Sequence, residues 1–538
     1  MSSFNRRELI AAGLLLPAMP SLLHIPPALA APAPGGIDVH CHLFNASDLP
    51  IRGFLRRVVF EDYEDQENAF ALPRPLAALI ATLVGFLRNG VVTADEELRQ
   101  LTESAMSLSE PFDPFSPEAQ RALEESLRAV LSGNAASLAP DEPPVPRESV
   151  EAFRDAIRDE LAVGPQSLVG PAADSAAPTA SRLFAAPGAI GNTMRWAAWL
   201  RSPRLRLVER IKELYGGDGK VTFFVPALVD YDNWLDDSPR SGMASQVAVM
   251  EAVQKAAFER LNVFVHSLAP FDPWREAVDE AEGRSPSAFD LAREAVEQRG
   301  FIGVKLYPPM GFLPGGNAGA GLTYPEGSGT GFAEKLDAAL DRLFSWAESE
   351  SVPILAHAAD SNGAGEGYSH RADPAGWQVV LERHPNLHLN LAHFGGFDHL
   401  SGGEPWETAT GNLITRYPNV HADLSYLAES LPWASPQKQA RIAGQIRAFL
   451  TRFPEASGRL VYGSDWIMLG KEADHQRYFD SVRALLGRAG VTPAQWAEMT
   501  RGNAIRLYGL DAGAPGRARL EGWYRRQGLD PAVLSQFG

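Results

Sequence analysis

The sequence predicts an α/β protein built on a (β/α)8 TIM barrel, with a large, mostly helical insertion after the first strand. Three observations predict it. First, eight short apolar runs punctuate the chain, at 35–44, 221–230, 261–271, 300–309, 352–359, 387–396, 419–427 and 459–468. Second, amphipathic helical patterns lie between and after the later runs, at 244–260, 286–299, 332–350, 374–384, 407–417, 436–452 and 476–488. Fully apolar strands alternating with amphipathic helices signify a parallel sheet covered by helices. Eight such units match a closed barrel better than an open sheet. Third, the rhythm breaks once: residues 45–219 separate the first run from the second.

The chain opens with Arg6-Arg7 ahead of a mildly apolar stretch interrupted by Pro17 and Pro20, then Ala28-Leu29-Ala30. The stretch is too short and broken to span a bilayer. The A-x-A triplet reads as a cleavage site. Residues 1–30 resemble a twin-arginine export signal, which implies a periplasmic product starting near Ala31. The first strand, GGIDVHCHLF (35–44), follows a Pro/Gly-rich entry. The insertion, 45–219, reads as helices over roughly 73–106, 117–132, 147–162 and 193–215, with Ala/Pro/Ser-rich linkers at 133–147 and 163–180. Because it follows strand one, it is expected to emerge at the C-terminal face of the barrel, where barrel active sites lie. A cap, a lid and a dimer surface are its candidate roles. The barrel then occupies 31–44 and 220–510, and a tail covers 511–538. Asp373-Pro374 starts the helix after strand five as N-cap and N1 proline.

Composition narrows the function. The 538 residues are 45% hydrophobic, ample for a packed core. The formal net charge is −17, and loss of residues 1–30 would make it −18. Such a surface repels phosphate backbones and anionic lipid, so neither nucleic acid nor a membrane is an expected partner. The single cysteine, Cys41, excludes an intrachain disulfide and a Cys-based zinc knuckle. A small-molecule substrate is the remaining class, with a homo-oligomer open.

Residues suited to metal binding end several strands. His40 and His42 stand two apart, and a period of two puts both on one strand face, here the barrel interior. Cys41 then points away as a packed small hydrophobe. His357 ends strand five, His393 strand six and Asp465 strand eight; Lys305 lies near the end of strand four. Barrel closure would bring these ends within reach of one another. Imidazole nitrogen and carboxylate oxygen suit a divalent first-row ion, Zn²⁺ first, with Mn²⁺ or Fe²⁺ as alternatives, one or two per chain. A bound ion lowers the pKa of its water to about 7.

The chain resembles the amidohydrolase superfamily, within it the amidohydrolase 2 branch of metal-dependent TIM-barrel hydrolases and decarboxylases. The residues that carry the likeness are IDVHCH (37–42), GVKLYPP (303–309), ILAHAA (354–359), LNLAHFGG (389–396), YGSDW (462–466) and GNAIRLYGL (502–510). The insertion lies outside it. The resemblance implies that His40, His42, His357 and Asp465 are metal ligands. It implies that His393 is a second-metal ligand or the group that polarises the substrate, and that Asp465 also takes a proton from the attacking water. Lys305 is one of only seven lysines in a chain with 49 lysines and arginines. Arginine could not supply the neutral amine a carbamate needs. A bridging carbamate, a substrate or charge partner, and a buried filler remain its three possible roles.

Other candidates are peripheral. His266, taken as ending strand three, and Tyr307, beside Lys305, are candidate substrate contacts, with a hydrogen-bonded core role as the alternative for His266. Asp230 and Asp232 face the mouth or serve a turn. His370 and Arg371 read as solvent-exposed. The glycine-rich 308–331 lacks GxxxxGK[ST], so it is a loop near the substrate and no P-loop. The leading function is metal-dependent hydrolysis of a C–N or C–O bond in an amide, cyclic amide, lactone or ester. Nonoxidative decarboxylation of an aromatic or unsaturated acid is the alternative, and a non-catalytic periplasmic binding protein the third reading.

Overall fold

The computed structural model describes residues 32, 34–61, 76–103, 112–135, 144–163, 179–217, 219–235, 237–325, 328–397, 400–401 and 404–538. The expected export signal at 1–30 lies outside the described residues, as does most of the 163–180 linker.

Strand β1 (Gly36–Cys41) pairs in parallel with β2 (Val221–Pro226), which pairs with β3 (Phe264–Val265). A second parallel sheet runs β4 (Leu268–Pro270), β5 (Gly303–Leu306), β6 (Ile354–His357), β7 (Leu389–Ala392), β10 (Val420–Asp423) and β11 (Leu460–Val461). A small antiparallel pair, β8 (Leu400–Ser401) with β9 (Glu404–Pro405), lies outside both. Main-chain bonds join the two sheets at both edges. The Val39 N–H donates to the Tyr462 carbonyl at 3.0 Å, and Asp465 N–H to His40 O at 2.7 Å. At the other edge Ala227 bridges to Leu268, and Leu228 N–H donates to Leu268 O at 3.2 Å. Only His266 and Ser267 separate β3 from β4, so the two form one barrel strand and the ring has eight among the described residues.

Register decides which side chains face inward. In β6, Ile354 and Ala356 join the large outer core while Leu355 joins a separate inner cluster with Ile37, Val39, Phe223, Val225 and Val461. A bulge in β1 disturbs the alternation. Asp38 pairs with Phe224, but the next paired residue is Cys41, opposite Pro226, so β1 carries one extra residue. Val39 therefore packs in the inner cluster, Cys41 is fully buried in the outer core, and His40 and His42 reach the mouth.

The C-terminal tail is structured. Helix Pro515–Arg526 and the turn of helix Pro531–Phe537 bring Trp523, Tyr524, Leu534 and Phe537 into the inner cluster. They close the barrel at its N-terminal end, since His266 and Phe223 pack on the same rings.

Two of the insertion's expected helices are each divided, and helical segments over 46–59 and 180–185 are added. The expected helix 73–106 is two helices, Ala77–Arg88 and Ala94–Thr102. Gly90 turns the chain with φ +69°, and Thr93 starts the second helix with a reciprocal Thr93–Glu96 capping box. The expected helix 193–215 is likewise Ala189–Trp199 and Arg204–Tyr215, divided at Pro203, whose ring nitrogen has no hydrogen to donate. Helix Pro273–Glu282, capped by Asp272 with proline at N1, adds to the third connection.

Candidate metal centre

The strand ends assemble a buried polar group at the C-terminal face. His40 is fully buried and His42 nearly so. His42 Nδ1 donates to the Ala227 carbonyl at 2.8 Å, which turns its Nε2 toward Asp465 Oδ1 at 3.2 Å. His40 Nδ1 lies 3.2 Å from Asp423 Oδ2, and its Nε2 stands 3.7 Å from the same Asp465 oxygen. The ligand atoms of His40, His42 and Asp465 all lie within 4.8 Å of one another. Lys305 Nζ is 3.2 Å from His40 Nε2.

Asp465 reaches this position through a left-handed backbone, φ 56°, and its N–H is held by the His40 carbonyl. Non-glycine residues in that region carry strain that the surrounding structure must support. His393 and Phe394 share the feature, with φ 63° and 59°. His393 Nε2 is 3.2 Å from His357 Nδ1, and His357 stacks on Tyr307 with ring centroids 4.6 Å apart. His357 thus stands beside His393, outside the three-residue cluster. The Tyr307 hydroxyl accepts from Asn362 Nδ2 at 2.9 Å.

The electrostatics follow from burial and neighbours. Burial pushes the Asp465 carboxyl up, but the hydrogen bond from His42 and the field of His40 overcome it and hold the group down to about 2. Burial, then Lys305, lowers His40 to about 3 against the pull of Asp423. Burial lowers Lys305 to about 8. At neutral pH His40 is therefore neutral and Asp465 is ionised, the states a metal ligand needs.

Two expectations require correction. His266 is not at the mouth. Its strand continues beyond it as β4, where Leu268 pairs with Gly303 at the start of β5. His266 therefore lies at the opposite end, with Nδ1 donating to Gly300 O at 2.8 Å and Nε2 3.2 Å from the Tyr524 hydroxyl. Arg371 is buried, not exposed, and its guanidinium bonds the Gly311 and Thr323 carbonyls. Asp230 and Asp232 are both ion-paired to Arg275. His370 is exposed beside Asp360.

Four polar residues escaped the sequence reading. Asp423 accepts from His40 and Asn390 on one oxygen, and from the main chain of His393 and Ser425 on the other. Asp423 and Ser425 sit in the apolar run NVHADLSYL, in register with the other strand-end residues, which was the available signal. Asn390 alternates inward between Leu389 and Leu391. Asp38 accepts from the main chain of His40 and Ser464 and is pushed by burial up to about 7.

A cavity of about 260 Å³ opens beside the cluster, lined by Asp465, His393, Asn362, Tyr426, Lys471 and Glu61. Glu61 comes from the stretch after β1 and accepts from Asn362 N–H at 3.3 Å. The helix Ala189–Trp199 reaches the same rim, where Trp196 Nε1 donates to the Ile467 carbonyl at 3.0 Å.

Residues 227–510 match the family described as amidohydrolase (Amidohydro_2). No curated protein sequence matches the chain. An amidohydrolase from Burkholderia multivorans with bound zinc aligns at 15% identity over 57% of this chain and 87% of its own, with a TM-score of 0.35. The 5-carboxyvanillate decarboxylase LigW from Sphingomonas paucimobilis aligns at 14% identity over 54% and 79%, with a TM-score of 0.31. A manganese-bound 5-carboxyvanillate decarboxylase from Novosphingobium aromaticivorans aligns at 14% identity over 68% and 94%, with a TM-score of 0.35.

Proposed function

The chain belongs to the amidohydrolase family, and on that premise we propose that it is a metal-dependent hydrolase of a C–N or C–O bond. The single observation that carries the reading is convergence. The Nδ1 atoms of His40 and His42 are tied to protein acceptors, and their Nε2 atoms turn toward one ionised Asp465 oxygen. Two imidazole nitrogens and a carboxylate oxygen gathered within 4.8 Å of one another in a dry site suit a divalent cation among them. The donor set, two imidazoles and a carboxylate, fits Zn²⁺, with Mn²⁺ or Fe²⁺ as alternatives. His357 would complete the set or orient the substrate.

Bound there, a divalent ion supplies Lewis-acid activation of water and of a carbonyl group. The protein's own residues do the rest. Asp465, ionised at neutral pH, accepts a proton at its carboxylate and returns it to the leaving group. His393, at the cavity wall beside His40 and Asp423, would lend its Nε2 lone pair to a second ion. Lys305 offsets the negative charge of Asp465 and Asp423. The aromatic wall of Phe394, Phe397 and Tyr426 excludes water from the scissile group. Amides, cyclic amides, lactones and esters are the substrate classes.

Lys471 and Arg441 in the cavity lining support a second reading, decarboxylation of an aromatic or unsaturated acid, because cations there match a carboxylate. Product analysis in ¹⁸O-water separates the two. Hydrolysis places solvent oxygen in the product; release of CO₂ without it overturns the hydrolase reading. Metal analysis should find about one or two divalent ions per chain. A protein that takes up none after incubation with Zn²⁺ or Mn²⁺ loses the metal centre. Among the described residues no helix is long and apolar enough to cross a membrane. We infer twin-arginine export to the periplasm from residues 1–30; an Arg6→Lys/Arg7→Lys chain that still reaches the periplasm would refute that route.

A further inference from the structure

We propose that Ser425 is a positioning residue that sets the tautomers of both His40 and His393, and through His393 that of His357. The inference rests on the reading of His40 as a metal ligand, and it adds a residue from the strand that contributes no ligand.

A serine hydroxyl offers one proton and two lone pairs. Ser425 is buried, and its Oγ lies in hydrogen-bond contact with three groups: Asp423 Oδ1 at 2.5 Å, His393 Nδ1 at 2.9 Å and His40 Nδ1 at 3.0 Å. Asp423 is an acceptor only. Its Oδ1 accepts the main-chain N–H groups of His393 and Ser425, and its Oδ2 accepts from Asn390, so neither oxygen has a proton to give. The one hydroxyl proton therefore goes to Asp423. Both imidazole contacts must then be donations to Ser425 from an Nδ1–H. His40 can share its hydrogen between Ser425 and Asp423 Oδ2, and either choice requires the same tautomer.

The consequence propagates. With Nδ1 protonated, neutral His393 has a bare Nε2. His357 Nδ1, 3.2 Å away, must be the donor in that pair. His357 is then also an Nδ1–H tautomer, and its Nε2 accepts from the Ser361 hydroxyl at 3.2 Å. Ser425, through its hydroxyl and, on His393 Nδ1, also its carbonyl oxygen at 3.3 Å, thus leaves Nε2 without a proton on three histidines, toward Asp465 on His40, toward the cavity wall on His357. Ser425 and Ser361 both line the cavity, so the chain runs from the buried Asp423 to the substrate space.

The test has two readouts that need no substrate. In metal-free, ¹⁵N-histidine-labelled full-length protein, the two-bond ¹H–¹⁵N pattern reports each tautomer. His40, His393 and His357 are expected as Nδ1–H; an Nε2–H pattern for His393 overturns the proposal. Zn²⁺ affinity is then measured by chelator competition. Ser425→Ala is expected to bind Zn²⁺ about tenfold or more weakly, the usual cost of losing a group that orients a ligand. Ser425→Thr, which keeps the hydroxyl, is expected to regain most of it. Equal affinity in Ser425→Ala and the parent overturns the positioning role. A parent that binds no Zn²⁺ overturns the metal reading instead, and the tautomer pattern still decides the role of Ser425.

Discussion

Asp423 shows how a residue outside the ligand set governs it. Its carboxylate accepts from His40, from Asn390, from two main-chain N–H groups and from Ser425. Asp423→Ala should therefore weaken Zn²⁺ binding by at least about tenfold. Chelator competition checks it, and an unchanged affinity would remove Asp423 from the centre. His266 supplies a pH prediction. Burial lowers its imidazole to about 4 from an ordinary 6.5, so the folded protein keeps it neutral while the unfolded chain protonates first. Its contribution is complete above pH 6.5 and is lost as the pH falls toward 4, about 3 kcal/mol in all. His421, lowered by burial to about 3, acts in the same direction. Urea midpoints at pH 7 and pH 4 should differ less in His266→Phe than in the parent; equal differences would exclude His266 as a source. At this scale the sequence was legible where chemistry is rare in context. An H-x-H pair and an aspartate at strand ends stand out. His266 misled because Ser267 looks like the end of a strand that in fact continues.

The elements are held by specific polar and steric contacts. Arg204 begins the helix Arg204–Tyr215 and is fully buried between Asp48, after β1, and Glu97 in helix Ala94–Thr102. Glu97 also accepts the N–H groups of Arg204 and Leu205, so it caps the helix as well as pairing with the guanidinium. Arg204→Leu would leave two buried carboxylates uncompensated and should cost about 3–5 kcal/mol. Denaturant unfolding measures it; a loss under about 1 kcal/mol would mean the pair relaxes into water. Gly516 tests the C-terminal helix. A Cβ there would run into the Tyr508 carbonyl oxygen, and that oxygen is backbone. Gly516→Ala should destabilise by about 1–3 kcal/mol through overpacking. A variant as stable as the parent would show that the helix can shift. The insertion helices were legible as amphipathic stretches. Their breaks at Gly90 and Pro203 were present as residue types but are decided by capping and by what each half packs on.

For the whole molecule, the tail is the decisive part. Trp523, Tyr524, Leu534 and Phe537 are almost completely buried in the inner cluster. At about 1.5–3 kcal/mol each, removing them forfeits about 6–12 kcal/mol, comparable to the stability of an entire domain. A chain ending at residue 510 should therefore be insoluble or bind ANS strongly; a soluble, cooperatively melting product would refute this. The sequence by itself determined the alternation of strands and helices, because a buried parallel strand must be apolar throughout and its covering helix amphipathic. It also determined which rare polar residues stand at strand ends. Only the tertiary structure decided that β1 carries an extra residue beside His40, that Asp423 and Ser425 stand behind the histidines, and that His266 lies at the far end. Each depends on which strand becomes the neighbour of which, and a hydrogen-bond partner hundreds of residues away leaves no local pattern in the chain.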